Sequence, residues 1–126
     1  MDENQISYHI INAAIEVHRT LGGPGLLESV YEEALAWELS AREFQVERQK
    51  LLPILYKGIE LATPLRIDLL IDNLVIVECK ATTEYNAIFE TQTATYLRIT
   101  GLKLGLVINF GEKYVKDGVH RVVNKI

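Results

Sequence analysis

Charged residues interrupt two apolar segments that should form neighbouring strands inside the fold. Residues 66–80 read Arg-Ile-Asp-Leu-Leu-Ile-Asp-Asn-Leu-Val-Ile-Val-Glu-Cys-Lys, so Asp68, Glu78 and Lys80 lie within runs of Ile, Leu and Val. Ions are rarely buried without a partner. The pattern predicts either an exposed, charged strand face or a site where two carboxylates bind a hard divalent cation through oxygen.

The two strands can bring the carboxylates together only if their connection has an odd number of residues. Side chains alternate along a strand, so Glu78 and Lys80 share one face. A three-residue connection over residues 72–74 would place Asp68 directly opposite Glu78, whereas a two-residue connection would put them on opposite faces. Asn73 in this loop tolerates the left-handed conformation that three-residue loops need. We therefore predict a facing pair, with Lys80 able to orient or activate a water beside it.

Composition limits the class of protein. The chain has 126 residues, 48% of them hydrophobic, and is expected to form a single domain over residues 1–126. No apolar run approaches a transmembrane helix, the first residues are acidic and polar, and the single cysteine, Cys79, fits a reducing cytosol. We therefore expect a cytoplasmic protein with no membrane contact. The net charge of -4 argues against binding nucleic acid by bulk charge, but not through a local basic patch.

Apolar periodicity predicts a mixed sheet with helices on its faces. Glu32, Glu33, Glu38 and Glu43 are expected to form the solvated face of the second helix. Cys79 points away from Glu78 and is predicted to pack in the core. The predicted helices are 5–21, 27–43 and 86–100, and the predicted strands are 46–56, 59–62, the strands of Asp68 and Glu78, 102–110 and 119–123.

Several other residues have both a structural and a functional interpretation. Gln92 and Tyr96 share a helix face. Gln92 could hydrogen-bond a phosphate, a base or a metal-bound water, or it could be a boundary glutamine beside a core tyrosine. Glu28, in the first turn of the second helix, could interact favourably with the helix dipole or supply a third carboxylate to the site. His18 lies on a largely apolar helix face, where a histidine is more often a core residue than a ligand. Arg66 could touch a phosphate or pair with an acid.

The segment Gly25-Leu-Leu-Glu28-Ser-Val-Tyr31 resembles the Gly-x-x-Glu-x-x-Tyr signature of the bacterial GxxExxY family. Other segments are similar to that family in the same order, and together they cover nearly the whole chain. The doubled glycine Gly22-Gly23 departs from the usual single glycine and should alter only the loop. The further similar segments are 14–18, 46–50, 56–58 and 105–111.

This resemblance implies a PD-(D/E)xK nuclease-like protein. The expected fold is α/β and restriction-endonuclease-like, with two N-terminal helices before a mixed β-sheet flanked by helices. Asp68 matches the first acid of the motif, although Ile67 stands where the motif has proline. Glu78-Cys79-Lys80 matches acid-x-Lys, Gln92 to Tyr96 resembles the Gln-x-x-x-Tyr motif of RecB-type nucleases, and Glu28 corresponds to a helical glutamate.

The implied activity is Mg²⁺- or Mn²⁺-dependent hydrolysis of nucleic acid, DNA or RNA. Asp68, Glu78 and Glu28 would be ligands together with the Cys79 carbonyl oxygen, and His18 is a weaker candidate. Lys80 would orient the attacking water, and Gln92 and Tyr96 would position water or substrate.

Two alternatives stay open at the sequence level: a non-catalytic nucleic-acid-binding or protein-interaction module on the same scaffold, and a subunit that is active only with partners. A homodimer could supply additional substrate surface. A salt bridge from Lys80 to Glu78, without metal affinity, would favour the non-catalytic module.

Overall fold

The computed structural model describes residues 1–125, in which three α-helices and seven strands are found. The elements in chain order are α1 (Glu3–Thr20), α2 (Glu28–Ala41), β1 (Val46–Leu52), β2 (Leu55–Tyr56), β3 (Ile59–Glu60), β4 (Leu65–Ile71), β5 (Val75–Lys80), α3 (Ile88–Thr100), β6 (Leu104–Asn109), a 3₁₀ helix (Val115–Gly118) and β7 (Val119–Val123). Within residues 1–125, no helix has both the length and the apolar composition that a bilayer-spanning segment requires.

The predicted helices and most strands are confirmed, and their ends have local causes. Helix α1 begins at a capping box, in which Asp2 and Gln5 each accept a hydrogen bond from the other's main-chain N–H at 2.9 Å. The prediction of one strand over residues 46–56 is wrong. Strand β1 ends at Leu52 because Pro53 has no N–H to donate to a neighbouring strand. Strands β2 and β3 form a separate, exposed hairpin.

Five strands form one mixed sheet in the order β1-β4-β5-β6-β7. Only β5 and β6 pair in parallel, and α3 connects them. Helices α1 and α2 pack on one face of the sheet, where Tyr31 and Leu35 are buried with Val77 and Leu106. Helix α3 covers the other face through Leu97. The predicted α/β architecture, with two helices before a mixed sheet, is therefore confirmed.

The β4–β5 hairpin has the three-residue connection that strand parity requires. Ile71 pairs with Val75, so residues 72–74 form the loop. Asp72 and Asn73 both take left-handed conformations, with φ of 51° and 56°. This register puts Asp68 opposite Glu78, as the sequence predicts.

Candidate active site

The hydrogen-bond ladder between β4 and β5 stops at Leu69 and Val77, one pair before the two carboxylates. Beyond that pair, side chains take the place of main-chain acceptors. The Asp68 N–H donates to Glu78 Oε2 at 3.1 Å, and the Cys79 N–H donates to Asp68 Oδ2 at 2.9 Å. Glu78 is only 6% exposed, and Asp68 is half-buried. The fold thus brings both acids to one point where two strands separate.

The two carboxyl groups form an electrostatically unfavourable pair. Burial raises the pKa of Glu78 from an ordinary 4.5 to about 9, and both the charge of Asp68 and a hydrogen bond between the side chains add to this shift. The positive charge of Lys80 opposes it. Neither carboxylate forms an ion pair with a lysine, arginine or histidine of residues 1–125. The pair therefore retains a proton where a cation could otherwise lie.

Lys80 lies between these carboxylates and helix α3. Its Nζ is 4.5 Å from the centroid of the Phe89 ring, a distance at which a cation is attracted to an aromatic face. Its charge also opposes the raised pKa values of Glu28 and Glu78. In the described part of the chain, the salt bridge to Glu78 that would favour a non-catalytic module is not formed.

Helix α3 brings Tyr96 close to the carboxylates. Burial raises the pKa of the Tyr96 phenol, and the negative charges of Glu78 and Asp68 raise it further, whereas a hydrogen bond with Gln92 lowers it. Gln92 itself is exposed at the rim of the site. Ile88, four residues before Gln92 on the helix, is 56% exposed and does not enclose Gln92.

Glu28 faces the site from the first turn of α2. Partial burial raises the pKa of its carboxyl group, Lys80 lowers it, and the nearby Asp68 and Glu32 raise it. The carboxylate therefore lies within electrostatic range of the Asp68–Lys80 region, although the residue as a whole is exposed at the rim.

Tyr31 fixes the loop that leads into α2 and so determines where Glu28 lies. Its buried hydroxyl donates to the Gly23 carbonyl oxygen at 2.7 Å and accepts from the Leu26 N–H at 3.1 Å. Gly25 has a φ of 115°, which a residue with a side chain rarely adopts. The Gly-x-x-Glu-x-x-Tyr spacing is thus explained by one loop conformation and one side chain that holds it.

The side chains of His18 and Cys79 lie in the core. His18 is buried against Tyr31 and Phe110, and its Nε2–H donates to the Phe110 carbonyl oxygen at 3.0 Å. Cys79 is fully buried in the core below α1 and α2, and burial raises the pKa of its thiol. Across residues 1–125, no three carboxylate, imidazole or thiol side chains converge as a cation cage, so neither Glu28 nor His18 joins Asp68 and Glu78 in one.

The prediction that Glu32 lies on a solvated face is wrong. Glu32 is 4% exposed, and its carboxylate accepts from Arg48 Nε at 2.7 Å and from Gln49 Nε2 at 2.8 and 2.9 Å. Its position four residues after Glu28, beside the buried Tyr31, was the available signal. An open cleft of about 380 Å³ between α2 and strands β1 and β4 is lined by Glu28, Glu32, Arg48, Gln49, Arg66 and Asp68.

Asn109, at the end of β6, holds the chain that follows Lys80. Its side-chain oxygen accepts from the Thr82 N–H at 3.0 Å, and its Nδ2 donates to the Thr82 carbonyl oxygen at 2.9 Å. The Phe110 N–H donates to the Lys80 carbonyl oxygen at 2.7 Å. Sequence reasoning missed this contact, although a polar residue ending an apolar strand and followed closely by Gly111 was a signal for it.

The donor set fits a hard divalent cation. Asp68 and Glu78 supply carboxylate oxygens, and neither has a positively charged partner in the described residues. Both lie where the main-chain pairing of β4 and β5 stops, and each accepts a hydrogen bond from the other strand. Because these two acids form no cage with a third side chain of residues 1–125, a bound ion would need main-chain oxygen, water or substrate oxygen as well.

A mixed sheet with helices on both faces, and two acids followed by a lysine where two strands separate, define a nuclease-like α/β protein. The family model described as the PD-(D/E)XK nuclease superfamily matches residues 4–122, and the chain belongs to this superfamily. Its fold is restriction-endonuclease-like. Members generally use divalent metals and act on nucleic acid. Searches of curated proteins and of solved structures gave no match.

Proposed function

We propose that the chain is a Mg²⁺- or Mn²⁺-dependent nuclease that hydrolyses phosphodiester bonds. One observation carries this proposal: Asp68 and Glu78 meet where the β4–β5 ladder ends, with no positive side chain of residues 1–125 paired to either. A stable structural cluster would be expected to neutralise such acids with arginine or lysine. A substrate-binding site with a divalent ion instead requires them to be available.

In this proposal, Asp68 and Glu78 hold the cation together with the Cys79 carbonyl oxygen. A bound divalent ion lowers the pKa of water and stabilises negative charge on the phosphate. Lys80, held over Phe89 beside the carboxylates, orients the attacking water. Tyr96 and Gln92 position the substrate from α3, and Glu28 lies near Asp68 and Lys80 at the start of α2.

We also infer that the chain is a member of the GxxExxY family. The supporting observation is that each residue of Gly25-x-x-Glu28-x-x-Tyr31 has a distinct structural task. Gly25 permits the loop, Tyr31 holds it through two hydrogen bonds, and Glu28 is thereby directed toward the carboxylates.

A non-catalytic binding module is the second candidate. It is favoured by the finding that, within residues 1–125, no third acidic or histidine side chain comes close enough to Asp68 and Glu78 to hold an ion with them. Such a module would keep the nucleic-acid surface but would not cleave.

Cleavage assays on single- and double-stranded DNA and RNA, with Mg²⁺ or Mn²⁺, test the proposal. We expect Lys80→Ala to lower the cleavage rate by about 10²-fold or more while metal binding persists, because lysine acts on water and is not a ligand. Asp68→Ala should remove both. Lys103→Ala is the matched control. Lys103 is exposed and lies just before β6, whereas Lys80 lies at the opposite end of the paired strands β5 and β6.

Equal cleavage by wild type and Lys80→Ala would identify a contaminating nuclease. If the wild type binds the metal and cleaves no substrate, the non-catalytic module or a partner-dependent subunit replaces the proposal.

A further inference from the structure

Glu32 is a buried carboxylate whose two oxygens are both occupied by strand β1. Arg48 donates to one of them, and the Gln49 amide nitrogen lies within hydrogen-bond distance of both. Burying a charge is unfavourable unless such partners compensate it. The contacts fix the Gln49 amide with its nitrogen toward Glu32 and leave its oxygen free for another donor.

Gln49 on β1 lies opposite Asp68 on the neighbouring strand β4, but the two residues do not pair. Arg48 pairs with Leu69 and Lys50 pairs with Ile67, so the register would match residue 49 with residue 68, where the ladder is interrupted. Gln49 has a φ of 54°, an unfavourable conformation for a residue with a long side chain. The bonds to Glu32 hold Gln49 in this conformation. Main-chain pairing is therefore interrupted on both sides of Asp68, at Glu78 on β5 and at Gln49 on β1.

The Gln49 oxygen lies beside Arg66, two residues before Asp68 on the same strand. Arg66 Nη1 is 3.5 Å from Gln49 Oε1, and the Arg66 side chain is exposed. Within residues 1–125, Arg66 forms no ion pair with a carboxylate, whereas Arg48 is paired with Glu32. The cleft that contains Asp68 is also lined by Glu32, Arg48, Gln49 and Arg66. Arg66 is thus an unneutralised guanidinium adjoining the proposed cleavage site.

We propose that Arg66 binds a phosphate of the nucleic-acid backbone next to the phosphate at Asp68 and Glu78, and that Glu32 is a positioning residue acting through Gln49. Guanidinium groups bind phosphate oxygens through paired hydrogen bonds. Such a contact sets the register of the strand without reading its bases. The subsite rests on the proposed function in one respect, namely that the ligand is nucleic acid.

Binding of a labelled single-stranded DNA oligonucleotide of mixed sequence, and of its RNA counterpart, tests this subsite. Titrations in Ca²⁺ over a range of salt concentrations give Kd and its salt dependence. We expect Arg66→Gln to raise Kd roughly tenfold and to reduce the slope of log K against log salt by about 0.7, the value for one phosphate contact on a single strand. Arg98→Gln should change neither, because Arg98 is an exposed α3 residue bonded to Thr95.

Gln49→Gly tests positioning through binding rather than through stability. Glycine accepts the left-handed conformation without strain, but it leaves the buried Glu32 carboxylate without the Gln49 donor, so the unfolding temperature should fall. Kd should rise as well, because Arg66 loses its partner. Glu32→Gln should also raise Kd or KM, with kcat at saturating substrate much less affected. In an Arg66→Gln background, neither change should weaken binding further.

The outcomes distinguish the subsite from the proposed activity. If the wild type cleaves and Arg66→Gln keeps the wild-type salt slope, the subsite is overturned and the nuclease stands. If the wild type binds with an Arg66-dependent slope and never cleaves, the subsite stands and the nuclease fails. Unmeasurable binding by the wild type overturns the subsite. If Gln49→Gly and Glu32→Gln lower the unfolding temperature but leave Kd unchanged, both residues have only a structural role.

Discussion

Glu78 shows how a single side chain can be held in an unfavourable state by the fold around it. Its carboxyl group is buried beside Asp68, and its pKa is raised to about 9, chiefly by burial. The folded chain therefore retains a proton that the unfolded chain releases near pH 4.5. This proton makes the stability of the metal-free protein depend on pH.

The sign follows from proton binding. Between pH 4.5 and about 9 the folded state binds more protons at Glu78 than the unfolded state. The stability that this proton contributes is therefore fully present below pH 4.5 and is lost as the pH rises toward 9. We expect Glu78→Gln, which keeps the shape without the charge, to unfold much like wild type at pH 5. At pH 9 in EDTA it should be more stable by over about 1.4 kcal/mol, the equivalent of one pKa unit.

Urea unfolding of both proteins at a series of pH values measures this difference. Divalent metal should restore stability to the wild type at high pH and leave Glu78→Gln unchanged. A constant difference across the pH range would show that the Glu78 pKa is not displaced.

The sequence alone predicts the facing pair at this scale, because alternation along a strand and the length of one loop determine it. It does not predict which acids of α2 are buried. Apart from its helical spacing from Glu28, Glu32 looks like Glu33 in the sequence. The packing of α2 against β1, which brings Arg48 and Gln49 to Glu32, is what buries it.

At the scale of whole elements, the end of β6 and the segment after β5 are held together by main-chain contact. A Cβ atom on Gly111 would lie 2.2 Å from the Thr82 carbonyl oxygen, closer than van der Waals contact permits. Asn109 bonds both to Thr82 and to the Gly111 N–H. These contacts determine where the chain turns after Lys80.

Gly111→Ala should therefore lower the free energy of unfolding by about 1–3 kcal/mol, since the backbone must shift to admit the methyl group. If the chain is a nuclease, its cleavage should also fall, because the shift displaces the residues next to Lys80. Denaturant unfolding measures the first effect. Thr83→Ala, an exposed change in the same segment, should alter stability by less than about 0.5 kcal/mol. Equal stability of Gly111→Ala and wild type would mean that this approach is not constrained.

Helical and strand periodicity predict the existence and order of nearly all these elements. The end of β1 at Leu52 and the interruption opposite Asp68 are not predicted, since apolar residues continue after Leu52 and the polar residues 47–50 show no break at Gln49. Pro53 marks the first as a local signal. The left-handed Gln49 has no local signal, because its conformation is held by Glu32 from a separate helix.

Across the whole molecule, the two acids come from strands that are neighbours in both sequence and space, whereas other parts of the site arrive from distant segments. Lys80 follows on β5 itself, but Tyr96 comes from the crossover helix and Glu28 from before the sheet. The family match covers this entire arrangement, from residue 4 to residue 122. The sequence predicts through resemblance that these parts belong together, and the structure shows Glu28 and Tyr96 within electrostatic range of the carboxylates.

The short β4–β5 loop has a consequence for the order in which the chain folds. A hairpin closed by three residues forms with little loss of chain entropy, while the parallel β5–β6 pairing must wait for α3 and both its connections. Asp68 and Glu78 should then meet in the rate-limiting transition state. Mg²⁺ should accelerate refolding of the wild type more than it slows unfolding, and Glu78→Gln in EDTA should refold faster than wild type at pH 8. Stopped-flow chevrons can measure both limbs, and an effect confined to the unfolding limb would place the meeting of the two acids after the barrier.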